Sequence, residues 1–174
     1  MAIYYGDGSN SNIGRAVYMT EVGYQSRWFV NNPSGSWHNG PGNLGSDTAC
    51  GVTCAKAANK ILITATLNMG QEDTWTQPTA KIITRQGTSG SWQDLYGGGQ
   101  ITYLAGRHGA HSTISIKFLH HPNSTNTQYY KVQFTSMDSG NYIRLNYGNI
   151  GSGGDNYSGQ HPRSTLVAEE RSFT

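Results

Sequence analysis

The sequence predicts an all-β protein, an antiparallel β-sandwich of the jelly-roll kind, and three observations point there. Apolar and polar residues alternate over several short stretches, as on strands with one buried face. These stretches recur every 12 to 25 residues with turn-forming residues between them, and no segment of ten or more residues keeps a helical period. The 174 residues include 23 Gly, 11 Tyr and 4 Trp, which suits many turns and broad faces packed by large rings.

Residues 1–14, MAIYYGDGSNSNIG, read as a short aromatic strand, Ile3 to Tyr5, followed by a polar tether. The rest, 15–174, reads as one sandwich domain, long enough to close a core of its own. Its first part, 15–30, looks like two strands broken at Gly23, with Val17, Met19 and Glu21 on one face. The span 31–51 is a turn-rich loop around Trp37. NKILITATLN (59–68) is the clearest strand, and 80–85 is expected to be its antiparallel neighbour. The loop 86–100 carries Trp92, Leu95 and Tyr96. Matched apolar faces on 112–121 and 127–135, joined by PNSTN, predict a hairpin. A strand at 141–147, a glycine-rich loop at 148–162 and a last strand at 164–170 complete the chain. Alternation places Ile61, Ile63, Leu67, Ile114, Ile116, Phe118, Val132 and Phe134 in the core.

Twelve Lys and Arg against ten Asp and Glu leave a net charge of +2. Lys56, Lys60, Lys81, Arg85, Arg107, Lys117 and Lys131 fall on separate elements, so no nucleic-acid footprint is visible. Nor is there an apolar run of about 18 residues to insert in a membrane. The start lacks the basic and apolar regions of a secretory signal, so folding in a cytosol is expected. In that compartment Cys50 and Cys54 are expected as reduced, partly buried thiols, with a small disulfide as the alternative.

Several patterns invite a chemical reading and lose to a plainer one. GDGSNSNIGR has the glycines of a phosphate cradle but neither a following helix nor a Lys-Ser or Lys-Thr pair. His108 and His111, and the adjacent His120 and His121, point to opposite faces of a strand, which is wrong for one metal ion. Asp47, Glu72, Asp73, Asp94, Asp138 and Asp155 supply carboxylates for glycoside hydrolysis, yet nothing selects a pair. Ser112 beside His111 lacks the elbow motif of a hydrolase nucleophile. The sequons at Asn123 and Asn156 have no secretory context. No cofactor and no catalytic centre are expected. What survives is the loop chemistry: Trp37, Trp92, Tyr96, Tyr103 and Tyr157 sit among Gly, Ser, Asn and Gln, the mix of rigid rings and adaptable polar groups that binding surfaces use. Rings capping the ends of the sandwich would look the same.

Three stretches carry a resemblance: MAIYYGDGSNSNIGR, AANKILITATLN and HPRSTLVAEE. Together they resemble small fibre-like virion structural proteins of tailed bacteriophages that infect marine cyanobacteria, with the matches at Met1 to Ser9, Asn59 to Thr64 and Ser164 to Glu169. The 31–51 loop and the 171–174 tail depart from that pattern. The resemblance implies a β-sandwich assembled as a homotrimer in the host cytoplasm and mounted on the virion surface by its N-terminal segment, without a catalytic centre. On that view Ile3, Tyr4 and Tyr5 add as a strand to the sheet edge of another virion protein. Trp92 and Tyr96 become the contact to a host surface glycan. A capsid or neck decoration protein is the alternative, and a glycan-cleaving tail enzyme the second one.

Overall fold

The computed structural model describes residues 15–26, 28–30, 35–71, 78–95, 102–103, 111–136, 143–146 and 162–172. The arm at 1–14, Tyr96, Tyr157 and the glycine-rich loop lie outside them.

Strand β5 (Lys60–Gln71) shows why these segments extend. Ile61, Ile63, Ala65, Leu67 and Met69 are fully buried, whereas Leu62, Thr64, Thr66 and Asn68 are half-buried on the opposite face. A period of two is satisfied only by a pleated strand with one face in the core. On one edge β5 pairs with β9 (His111–His120). On the other it pairs first with β12 (Ser164–Ser172) and then with β11 (Ile143–Leu145), which continues the same line. Outside that line run β1 (Arg15–Tyr24) on β12 and β2 (Trp28–Val30) on β11. The second sheet is built on β6 (Pro78–Gln86) and β10 (Gln128–Ser136), paired along their full length. The short β3 (His38–Asn39) and β4 (Cys50–Val52) flank β10, while β7 (Gln93–Asp94) and β8 (Thr102–Tyr103) flank β6.

All these pairings are antiparallel, and the two sheets pack as a sandwich. With the collinear pieces joined, the first sheet runs β1/β2, β12/β11, β5, β9 and the second β3/β4, β10, β6, β7/β8. This is the strand order of a jelly roll, two Greek keys wrapped into facing sheets. Tyr130, Val132 and Phe134 of β10 meet Ile61, Ile63 and Ile116 in one continuous core. Of the eight expected core residues, Ile61, Ile63, Leu67, Ile116, Val132 and Phe134 are buried in it, and Ile114 and Phe118 pack against it. Ile114 and Phe118 are only half-buried, on a strand that among the described residues pairs with β5 alone.

Three expectations need correction. Strand β6 is not the neighbour of β5 but lies in the opposite sheet. Likewise β9 and β10 form no hairpin: the connection at 121–127 carries the chain from one sheet to the other, and their apolar faces meet across the core. Matched faces fix which side of a strand is buried and leave its lateral partner open. Finally, β1 runs straight through Gly23, over which the Arg163 guanidinium lies, so the glycine marks no break.

One joint holds the first sheet together where β11 stops and β12 has not begun. Asn146 sits there fully buried with φ 60°, a left-handed conformation that Asn tolerates. Its backbone N–H donates to the Asn68 carbonyl at 2.8 Å, and its Nδ2 donates to the carbonyls of Tyr24 at 2.7 Å and Ser26 at 3.3 Å. Ser164 Oγ donates to Asn146 Oδ1 at 2.6 Å and accepts from the Asn68 N–H at 3.0 Å. The interrupted ladder is thereby completed by side chains.

Candidate functional site

The pairing of β6 with β10 sets Lys81 opposite Gln133, Ile83 opposite Lys131 and Arg85 opposite Tyr129. Because Ala80, Ile82, Tyr130, Val132 and Phe134 face the core, this other set faces outward. Outward lysines normally keep their ammonium groups in water. Here Lys81 is 8% and Lys131 4% exposed.

Two connections bring side chains onto this face. The one leading into β4 contributes Trp37, just before the short β3, and Asp47 after it; the one after β6 contributes Trp92 and, on the short β7, Asp94. Lys81 Nζ donates to Asp94 Oδ1 at 2.6 Å and lies 4.3 Å from the centre of the Trp37 ring. Lys131 Nζ donates to Asp47 Oδ1 at 2.7 Å and lies 4.2 Å from the Trp92 ring. Each lysine therefore takes its ring from one connection and its carboxylate from the other, so the two are cross-braced through the sheet. Both cation–π and ion-pair attraction gain from the removal of water around these groups.

Arg85 joins the cluster with its guanidinium 4.8 Å from the Trp92 ring and 5.8 Å from that of Tyr129. Its Nη2 donates to the Asp47 carbonyl at 3.1 Å, whereas Nε is buried without a hydrogen-bond partner among the described residues. The hydrogen bond from Lys131 holds the Asp47 carboxyl below its ordinary range against the opposing effect of burial, with the charges of Lys131 and Arg85 adding to it. The Asp47 side chain is still 55% exposed, which leaves a fixed carboxylate at the rim beside a half-buried tryptophan. Nearby amides are also pre-positioned: Gln133 Nε2 donates to Asn39 Oδ1 at 3.0 Å and Gln86 Nε2 to Ser124 Oγ at 2.9 Å. With the lysines committed to their partners, the face presents ring surface, a carboxylate and amides: chemistry for stacking on a flat polar ligand and accepting its hydroxyls.

Of the sequence candidates, Trp92 and Trp37 are brought to this face, and Asp47 and Asp94 appear as lysine partners. Tyr96, Glu72, Asp73, Asp138, Asp155 and His108 lie outside the described residues, as do Ile3, Tyr4 and Tyr5. His120 ends β9 and His121 lies just beyond it. His120 is half-buried with Nδ1 2.8 Å from the Tyr130 hydroxyl, and His121 is exposed. Cys50 and Cys54 are free, buried thiols; burial pushes Cys50 up to about 12 and raises Cys54, with Glu170 adding. Glu170 is buried and accepts from the Ala55 N–H at 2.7 Å and Asn59 Nδ2 at 2.6 Å, tying the 53–59 loop to β12. No group of three or more His, Cys, Asp or Glu among the described residues is placed to hold a metal ion. Sequence reasoning scattered Lys81, Arg85 and Lys131 over separate elements. The available signal was their position on the polar phase of alternating strands, with Trp92 and Asp94 following Lys81 and Arg85 closely in the chain; nothing near Lys131 marked its partners.

No protein-family model matches the chain, and no curated protein does. Among solved structures, the chain is similar to that of infectious bursal disease virus Gx strain, at 12% identity and a TM-score of 0.38, over 98% of this chain and 42% of that one. Infectious bursal virus derived T=1 particles are similar at 13% identity and a TM-score of 0.44, over 98% of this chain and 40% of that one. The VP2 subviral particle of the same virus gives 13% and 0.40, over 98% and 42%. The chain spans about two fifths of the length of these chains. Likeness at this level assigns no family.

Proposed function

We propose that the chain is a non-enzymatic structural protein of a virus particle, a fibre-like surface appendage whose jelly-roll head meets the host. The jelly-roll order with a filled interior carries this reading. Jelly rolls serve as capsid units, lectin domains and cupins; here the space between the sheets is taken by Leu44, Ile61, Ile63, Leu67, Tyr130 and Phe134, so recognition falls to outer faces and loops. The face with Trp92, Asp47 and Arg85 is the contact, and a host surface glycan is its ligand. Ile3, Tyr4 and Tyr5 pair with a sheet edge of another virion protein, and three chains make the appendage.

Imaging of intact particles with labelled protein tests the placement: projections at the tail support the reading, and absence from particles overturns it. Several hundred copies spread over the shell would make it a decoration protein instead. Adsorption to host cells tests the contact. Trp92→Ala and Tyr96→Ala together are expected to reduce adsorption at temperatures where the variant remains folded by circular dichroism, and unchanged adsorption removes the glycan contact. Deletion of residues 1–12 is expected to spare the folded assembly and abolish incorporation.

A further inference from the structure

Among the described residues, the exposed large apolar side chains are Val17, Tyr18 and Met19, at 50%, 54% and 56% exposure, and they are consecutive. Successive strand residues ordinarily point to opposite faces, so one of each pair is covered. Here the register on β12 shifts between Ala16 and Tyr18, which leaves Val17 without an opposite residue and bends the strand locally. Strand β1 is also a sheet edge: it pairs with β12 on one side and, among the described residues, with nothing on the other. A bulge usually blunts an edge, but here the apolar side chains stay on it, and a bare edge carrying apolar side chains is a template for another strand.

The residues around the patch say which strand fits. Arg15-Ala16-Val17-Tyr18-Met19-Thr20-Glu21 has small or polar residues flanking an apolar centre, with opposite charges at its two ends. Laid antiparallel on a second copy about Tyr18, Val17 falls opposite Met19, Ala16 opposite Thr20 and Arg15 opposite Glu21, each twice. We infer that the chain self-associates through β1, two copies pairing across a two-fold axis at Tyr18 so that their first sheets continue into one another. A two-fold contact requires a self-complementary patch, and directly opposed apolar and opposite-charge pairs are what stabilise adjoining strands. Within its own chain Glu21 meets the exposed Arg163 at 3.3 Å through Oε1, and a carboxylate accepts from more than one donor. The contact is distinct from the one that would join three chains, and it stands or falls independently of any role on a virion.

Two measurements on the full-length chain test it. Directly opposed residues of antiparallel strands have Cα atoms about 4.5 to 5.5 Å apart, inside the disulfide range of about 4.4 to 6.8 Å. Tyr18→Cys is therefore expected to give a covalent dimer under mild oxidation and Thr20→Cys far less, with Cys50 and Cys54 shielded at 0% and 2% exposure. Separately, Arg15→Glu and Glu21→Arg each set like charges opposite one another and are expected to weaken association by at least about tenfold, while an equimolar mixture of the two variants restores it. Circular dichroism confirms that each variant is folded. A Tyr18→Cys chain that stays monomeric on oxidation, or a mixture without recovery, overturns the inference. So does association that survives both charge changes but is lost when residues 1–14 are removed, since the arm would then occupy the edge.

Discussion

The two sheets share one core and differ on their outer faces. On the first sheet the outer positions are Leu62, Thr64, Thr66, Thr165 and Val167, half-buried, with Thr113, Ser115 and Lys117 exposed. On the second, Lys81, Ile83, Lys131 and Thr135 are buried although they point away from the core. The second sheet thus has a third, partial layer made of two connections. Its cohesion is ionic and aromatic where the core is apolar. A lysine stem covers apolar surface and its ammonium group fixes a ring and a carboxylate, so a single side chain anchors two loops. Alternation alone reports which residues leave the core, and says nothing about whether water waits for them there.

The inner faces should respond alike and the outer faces differently. Phe134→Ala in the second sheet is expected to cost about 3–5 kcal/mol and Ile63→Ala in the first about 2–5 kcal/mol, measured by urea denaturation. An outcome below about 1 kcal/mol for either would break the picture of one shared core. Lys131→Ala is expected to cost about 1–3 kcal/mol, as loss of a shielded charged hydrogen bond and ring contact does, whereas Thr64→Ala stays within about 0.5 kcal/mol. Equal costs would mean that the two outer faces are alike after all. Cross-bracing sharpens the point. Trp37→Ala should loosen the connection that carries Trp92, so the two tryptophan replacements are expected to be non-additive by at least about 0.5 kcal/mol in a double-mutant cycle. Additivity would separate the two loops.

The smallest effect concerns acidity at the end of the core. Burial, with His121 adding, holds His120 below its ordinary value. The unfolded chain takes up a proton near pH 6.5 that the folded chain resists. Stability from this group is therefore fully present above about pH 6.5 and is lost as the pH falls through and below that value towards the lowered folded one. His120→Gln is expected to flatten the dependence of unfolding free energy on pH in that window, and an unchanged slope would assign it to other groups.

Much of the fold was legible because it rests on period-two burial: Ile61 to Leu67, Val132 and Phe134 declare their face without any knowledge of partners. Lateral neighbours were not, and β6 and β10 were both assigned to the wrong neighbour. Alternation is identical whether two strands lie side by side or face each other across a core. At the candidate site Trp92, Trp37 and the two aspartates stood out individually, as rings and acids in loops. Their convergence on Lys81 and Lys131 depends on the β6–β10 register and on two chain reversals, information carried by no local segment. Asn146 was invisible for a related reason, since its value lies in four carbonyl and hydroxyl partners drawn from three other parts of the chain.

That asparagine has a consequence for how the protein can vary. Asn146 and Ser164 close the sheet on either side of the gap between β11 and β12, through hydrogen bonds to each other and to Asn68. The energetic cost of closing a longer segment grows only with the logarithm of its length. The joint is therefore expected to act as a port: a peptide of different size spliced between the two strands should leave the register of both in place, held by the flanking pair of side chains.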